Sequence, residues 1–133
     1  GYGNGTLAVG ALHARVRKAC GILNKKGLHV VFIAHADTET IDLPDGEPYT
    51  RYSLRIGKKS TAPYVDDVDV VGFIKLSTFL TGDGEKKKAI SDGTRVLSVT
   101  ATAANVSKNR YGITTDLPVV QNENPFTNYI AGL

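Results

Sequence analysis

Three short groups of residues carry side chains that could do chemistry. The first is Lys108-Asn109-Arg110, two cations flanking an amide, directly after the small-residue run "ATAANVS" and directly before Tyr111-Gly112. Cations fixed at a strand end suit a phosphate, because phosphoryl transfer is catalysed by positioning and charge neutralisation. A rigid element is also a better mount for them than a mobile loop. The same three residues suit a solvated turn, and residue types alone leave both readings open. The second group is His35 and Asp37, which end the apolar run "LHVVFIAHAD". Open parallel sheets bind ligands just outside the carboxyl ends of their strands, so His35 is a candidate phosphate sensor; a hydrogen-bonded strand-end imidazole is the competing reading. "HxD" also permits a metal site or a small hydrolase using His35 and Asp37. His13 and His29 fall elsewhere and no Cys cluster completes a ligand set, so no metal is assigned. The third group is Lys86, Lys87 and Lys88 in "TGDGEKKKAI". Clustered cations at a hairpin tip are solvated or touch a nucleic-acid backbone, and no interleaved aromatic supports base stacking there.

Glycine, lysine and serine co-occur twice in ways that need testing against the phosphate loop. In "YSLRIGKKS", Gly57-Lys58 is followed by Lys59 where Ser or Thr is required, and Tyr52 stands where the first glycine belongs. "GYGNGT" has the glycines and no lysine. Neither can form a backbone cradle with a lysine and a magnesium-binding hydroxyl.

The elements that must position these groups follow from periodicity. Apolar residues at Val9, Leu12, Val16, Ala19, Cys20 and Leu23 mark one face of a helix over residues 7–26, stopped by Gly27 as C-cap. Residues 30–34 form a continuous, largely β-branched apolar run, which predicts a strand buried on both faces. Residues 37–49 hold five acidic residues, two prolines and a glycine, which predicts a long mobile loop. "TRYSLRI" is a short strand candidate, and "STAPYVDDV" offers Ser60 as N-cap of a helical turn or two. Residues 69–80 read as the second strong strand, with residues 70–76 interior to the sheet. "RVLSVTATA" is the third strand, the two joined by a polar, glycine-turned connection as an antiparallel hairpin. The tail from Thr114 is proline-broken and predicted to cross the surface.

Composition narrows the classes. The length fits one domain or part of one. No apolar run approaches the roughly 20 residues that span a bilayer, and the opening residues lack the pattern of a signal peptide. A single cysteine, Cys20, excludes a disulfide framework, and the triplets at Asn4 and Asn105 carry no glycosylation meaning in such a chain. The net charge of +3 points only weakly to an anionic partner. The loop-like opening and the lack of any methionine suggest a piece of a longer polypeptide.

The order of the pieces is "GYG", an amphipathic helix, "GLHVVFIAHAD", a loop, "YSLRIGKKSTAPYVDDVDVVGFIKL", and "KNRYG" before a proline-containing tail. It resembles the C-terminal portion of phage-encoded RecA-like nucleotide-binding proteins, a P-loop ATPase family linked to single-strand annealing and recombination. The resemblance implies an α/β fold: a partial RecA-like sheet flanked by a helix, with a C-terminal β-hairpin, residues 1–133 being one part of an ATPase domain. It implies Walker A and B elements upstream, ATP and Mg in the full-length protein, none in this fragment, and no hydrolysis by the fragment alone. It places His35 where the terminal phosphate is sensed, and makes Lys108 and Arg110 cations offered to a neighbouring subunit's nucleotide, with Asn109 fixing the turn. It further implies DNA, single-stranded, as partner at Lys86, Lys87 and Lys88, self-association through a sheet edge left open, no membrane, and the cytoplasm of a bacterial host. The alternative function is a non-enzymatic nucleic-acid- or protein-binding module.

Overall fold

In the computed structural model, residues 3–82, 84 and 87–133 are described. Gly1 and Tyr2 of the opening "GYG", and Lys86 of the basic hairpin, lie outside the described residues.

The expected first helix forms as α1 (Asn4–Lys25). It ends in a Schellman arrangement: Gly27 takes φ 85°, its N–H reaches Asn24 O, and Leu28 N reaches Leu23 O. The face that packs shares only Cys20 with the face expected. Gly10, His13, Arg17 and Cys20 turn toward the second helix, α2 (Lys58–Val65), and the apolar stripe of Val9, Leu12, Val16 and Leu23 stays exposed. Hydrogen bonding selects this face: the His13 ring meets Tyr64 Oη at 2.6 Å, and Arg17 Nε donates to Pro63 O. Gly10 lets α2 approach, lying where a Cβ would stand 3.6 Å from Lys59 O. Ser60, expected as an N-cap, is instead buried on this contact, and Gly57 caps α2.

The largest correction concerns residues 30–34. They form no strand, and Val31 and Ile33 are 72% and 96% exposed. A two-sided apolar strand needs neighbours on both edges and cover on both faces, and no described strand pairs with this run. The next correction is the acidic loop. Much of it is strand β1 (Ala36–Ile41), paired antiparallel with β2 (Tyr49–Leu54). Its acidic residues find arginines across the ladder: Glu39 lies opposite Arg51 with a 2.8 Å ion pair, and Asp37 lies 3.8 Å from Arg55. Residues 42–48, with the turn at Pro44-Asp45-Gly46, keep loop character.

Residues 69–80 also depart from expectation, dividing into β3 (Val70–Val71), β4 (Phe73–Leu76) and β5 (Phe79–Thr81). The antiparallel hairpin with the third strand does form: β5 pairs with β6 (Lys88–Ile90), and β4 pairs with β7 (Arg95–Ser98). The register shifts between the two halves, where residues 91–94 are held by Asp92 accepting from the Thr94 N–H and hydroxyl. The break after β3 falls at Gly72, beyond which the chain changes partner from β8 to β7. Gly72 lies where a Cβ would stand 2.7 Å from Leu97 Cδ1. Short β8 (Lys108–Asn109) pairs with β3, and β9 (Leu117–Val119) extends the β4–β7 sheet. Among the described residues every ladder is antiparallel, with one isolated parallel bridge between Tyr52 and Asn105. The content is mixed α and β, and the small core gathers Leu97, Val99, Ile113 and Leu117, with Val70 and Phe126 against it. Among the described residues no helix is long and apolar enough to cross a membrane.

Candidate functional site

Asn109 is the best-anchored of the candidate residues. Its Nδ2 donates to Val99 O and Ile113 O, both at 2.9 Å, and its Oδ1 accepts from the N–H groups of Tyr111 and Ile113. One side chain therefore closes the turn through Gly112, which takes φ 70°, and ties it to two core residues. The strand before it is fixed by pairing with β3, and Arg110 N continues that ladder to Asp69 O.

The two flanking cations project to one place, the carboxyl end of α2. Lys108 Nζ donates to Asp66 O at 2.6 Å, and Arg110 reaches Asp69 Oδ1 at 3.1 Å and Asp66 O at 3.4 Å. Arg17 arrives from α1, donating to Pro63 O and Asp67 O. The last carbonyls of a helix lack partners within it and carry the negative end of its dipole. α2 has no basic residue in its last turn, so donors must come from elsewhere. That shortage is visible in the sequence; the three residues that meet it are not.

These bonds hold weakly. Arg110 and Asp69 are each more than half exposed, and such pairs contribute about 1 kcal/mol or less. A multiply charged anion could therefore draw Lys108 and Arg110 away at small expense, while Asn109 keeps their backbone in place.

His35 sits at the mouth of β1, where its carbonyl accepts from Arg55 N and extends the β1–β2 ladder by one step. Among the described residues its ring has no hydrogen-bond partner, unlike the strand-end imidazole considered from sequence. It lines a cavity of about 590 Å³ together with Phe32, Tyr52, Tyr64, Asp69 and Tyr111. The cavity thus joins His35 to the immediate neighbours of the basic pair, although Lys108, Asn109 and Arg110 do not line it. Asp37, two residues on, is turned to Arg55 and to its own Thr38 N–H. No group of three or more His, Cys, Asp or Glu side chains gathers among the described residues. Lys87 and Lys88 lie on the exposed β5–β6 hairpin, on a different sheet from β8.

A family model described as an AAA domain matches residues 4–111. The chain belongs to this AAA-type family of P-loop NTPases. No curated protein and no solved structure matches it.

Proposed function

We propose that this chain is the C-terminal part of a RecA-like, phage-encoded ATPase that acts on single-stranded DNA in recombination or annealing, in the cytoplasm of a bacterial host. The observation that carries the nucleotide reading is the AAA-domain match, which spans His35 and Lys108 to Arg110. The residues present fit one side of a nucleotide site. They offer two cations on a locked turn and an imidazole with no hydrogen-bond partner among the described residues, but no phosphate loop. ATP with Mg supplies the phosphoryl group, held by residues outside this chain. Lys108 and Arg110 supply positive charge where negative charge grows during transfer, in a neighbouring subunit. Asn109 keeps both in register, and His35 reports on the terminal phosphate from the cavity wall. Lys86, Lys87 and Lys88 hold the DNA backbone.

A second reading is favoured by the bonds to Asp66 O: Lys108 and Arg110 complete the end of α2, in a module that binds partners without catalysis. Mixed oligomers separate the two. In the intact protein, Lys108→Ala or Arg110→Ala is combined with a subunit disabled in its own phosphate loop. DNA-stimulated hydrolysis returns if the intact cations of one subunit serve the nucleotide of the other. Failure to return at any ratio, with mixed assembly verified, removes the catalytic role and leaves the structural one.

A further inference from the structure

Arg110 faces an acid that the fold itself sets against it. In the β3–β8 ladder Val70 lies opposite Asn109 and Val71 opposite Lys108, so the next step of the same register brings Asp69 opposite Arg110. The backbone makes that step, the Arg110 N–H donating to Asp69 O at 3.1 Å. The Asp69 carboxylate then takes one guanidinium nitrogen, with Nη1 to Oδ1 at 3.1 Å, while Nη2 donates to Asp66 O at 3.4 Å. Lys108 Nζ donates to that same carbonyl at 2.6 Å. One neutral oxygen therefore gathers both cationic heads, and one charged oxygen holds Arg110 besides. A phosphate group offers the same kind of set, anionic oxygens reached by charged N–H donors. Asn109 holds the backbone of the turn through bonds that involve neither cationic head.

We propose that Asp69 is an internal competitor for the basic pair: its carboxylate occupies on Arg110 the place a phosphate oxygen takes, keeping the pair docked when no phosphate is present and weakening the hold on phosphate when one is. This role rests on the reading of Lys108 and Arg110 as phosphate ligands and deepens it. The exchange is easy, because the Arg110 and Asp69 side chains are 57% and 58% exposed and such pairs are weak. Once displaced, Asp69 stays beside the bound anion, since the ladder fixes its backbone, and the two like charges repel. A free phosphate has only the two cations to hold it against this competition. A nucleotide already held by a neighbouring subunit presents its phosphate at high effective concentration and wins. Asp69 thus reserves the two cations for an assembled site.

The test is binding of tripolyphosphate to the 133-residue chain, followed by NMR at the Arg110 guanidinium and the Lys108 ammonium. Salt at about 0.15 M screens charges lying more than about 8 Å apart. Asp69→Asn should bind tripolyphosphate about threefold or more tightly than the unaltered chain, the order of effect expected from freeing one exposed ion pair. Asp67→Asn removes the same charge two residues away, from a side chain with no ion pair among the described residues. It should change the affinity by less than about 1.5-fold, because its carboxylate does not compete for Arg110. The gain from Asp69→Asn should also vanish when Arg110→Ala is already present. Equal affinity of the Asp69→Asn and unaltered chains overturns the proposal, as does an equal gain from Asp67→Asn or a gain that persists without Arg110. Each of these leaves Lys108 and Arg110 standing as phosphate ligands. Loss of the β3–β8 ladder in Asp69→Asn, read as fast exchange of the Arg110 amide, would make the carboxylate structural and overturn it too. No binding by either chain overturns it together with the reading of the basic pair on which it rests.

Discussion

The turn at Lys108–Gly112 and the run at residues 29–35 look alike in one respect: in the sequence each ends a strand-like stretch with residues that carry candidate chemistry. They end up in opposite conditions. The turn is closed by four hydrogen bonds from one side chain, Asn109, whose partners lie within ten residues of it. The run is richer in apolar, β-branched residues, yet among the described residues the backbone of residues 29–34 is unpaired, and Val31 and Ile33 face water. A turn built from side-chain-to-backbone bonds carries its own partners. A buried strand borrows them from its neighbours, and strand propensity is chiefly a measure of that borrowed packing.

The comparison breaks most readily at Asn109. Replacing it with Ala removes four bonds, each contributing roughly 0.5–1.5 kcal/mol, and leaves partly buried backbone groups without partners. The expected loss in urea unfolding is about 3 kcal/mol, whereas Val31→Lys with Ile33→Lys should change stability by about 0.5 kcal/mol or less. A loss below about 1 kcal/mol at Asn109 would mean that the turn, too, depends on its surroundings. Next in size is Gly72→Ala. The added Cβ meets Leu97 Cδ1 at 2.7 Å, in the only cluster of buried apolar side chains among the described residues. Overpacking of this kind should cost about 1–2 kcal/mol. Adding Leu97→Val should recover part of that loss, so the double variant will be more stable than the two single effects added together. Simple additivity would show that Leu97 already turns aside.

What could be read from the sequence divides along the same line. The α1 span and its Gly27 stop were legible because helix periodicity and a C-cap glycine act locally. The antiparallel hairpin was legible from its polar, glycine-turned connection. The β1 strand was not, because Asp37 and Glu39 read as solvent-loving until Arg51 stands opposite Glu39 and Arg55 lies diagonally within reach of Asp37. The packed face of α1 was missed for a related reason: His13 and Arg17 look like surface residues, yet they find Tyr64 and Pro63 O some 50 positions on. At the candidate site, Asn109 as the fixer of the turn was readable from the sequence. The docking of Lys108, Arg110 and Arg17 on the end of α2 was not, since nothing in their spacing says where α2 will lie.

Lys108 and Arg110 sharpen the contrast from the other side, because they ride on a locked turn but are themselves loosely held. Alanine at either should cost about 0.5 kcal/mol of stability, in keeping with exposed pairs, while Asn109→Ala costs several times more. Thermal melts of the three single variants give this ordering directly. An effect at Lys108 or Arg110 as large as that at Asn109 would favour a structural role at the end of α2 over one at a nucleotide.

The smallest effect tests local closure where no core is involved at all. Asp92 accepts from the Thr94 hydroxyl at 2.6 Å and from the Thr94 N–H at 2.9 Å. These bonds, the hydroxyl's first, hold its carboxyl below the ordinary 3.8. Both favour the charged form, so the folded chain binds this proton less readily than the unfolded one. The resulting stabilisation is complete above the unfolded value and is lost as pH falls through the lowered folded value, in acid below about pH 4. Asp92 is fully exposed, so the readout should be its own titration rather than a melt. A carboxyl-carbon NMR titration should place its midpoint below that of an unstructured aspartate, and Thr94→Ala should move it part of the way back, the N–H bond remaining. A midpoint already at the ordinary value in the unaltered chain would mean that the turn between the two halves of the hairpin is open in solution. The register shift would then need a cause outside residues 91–94.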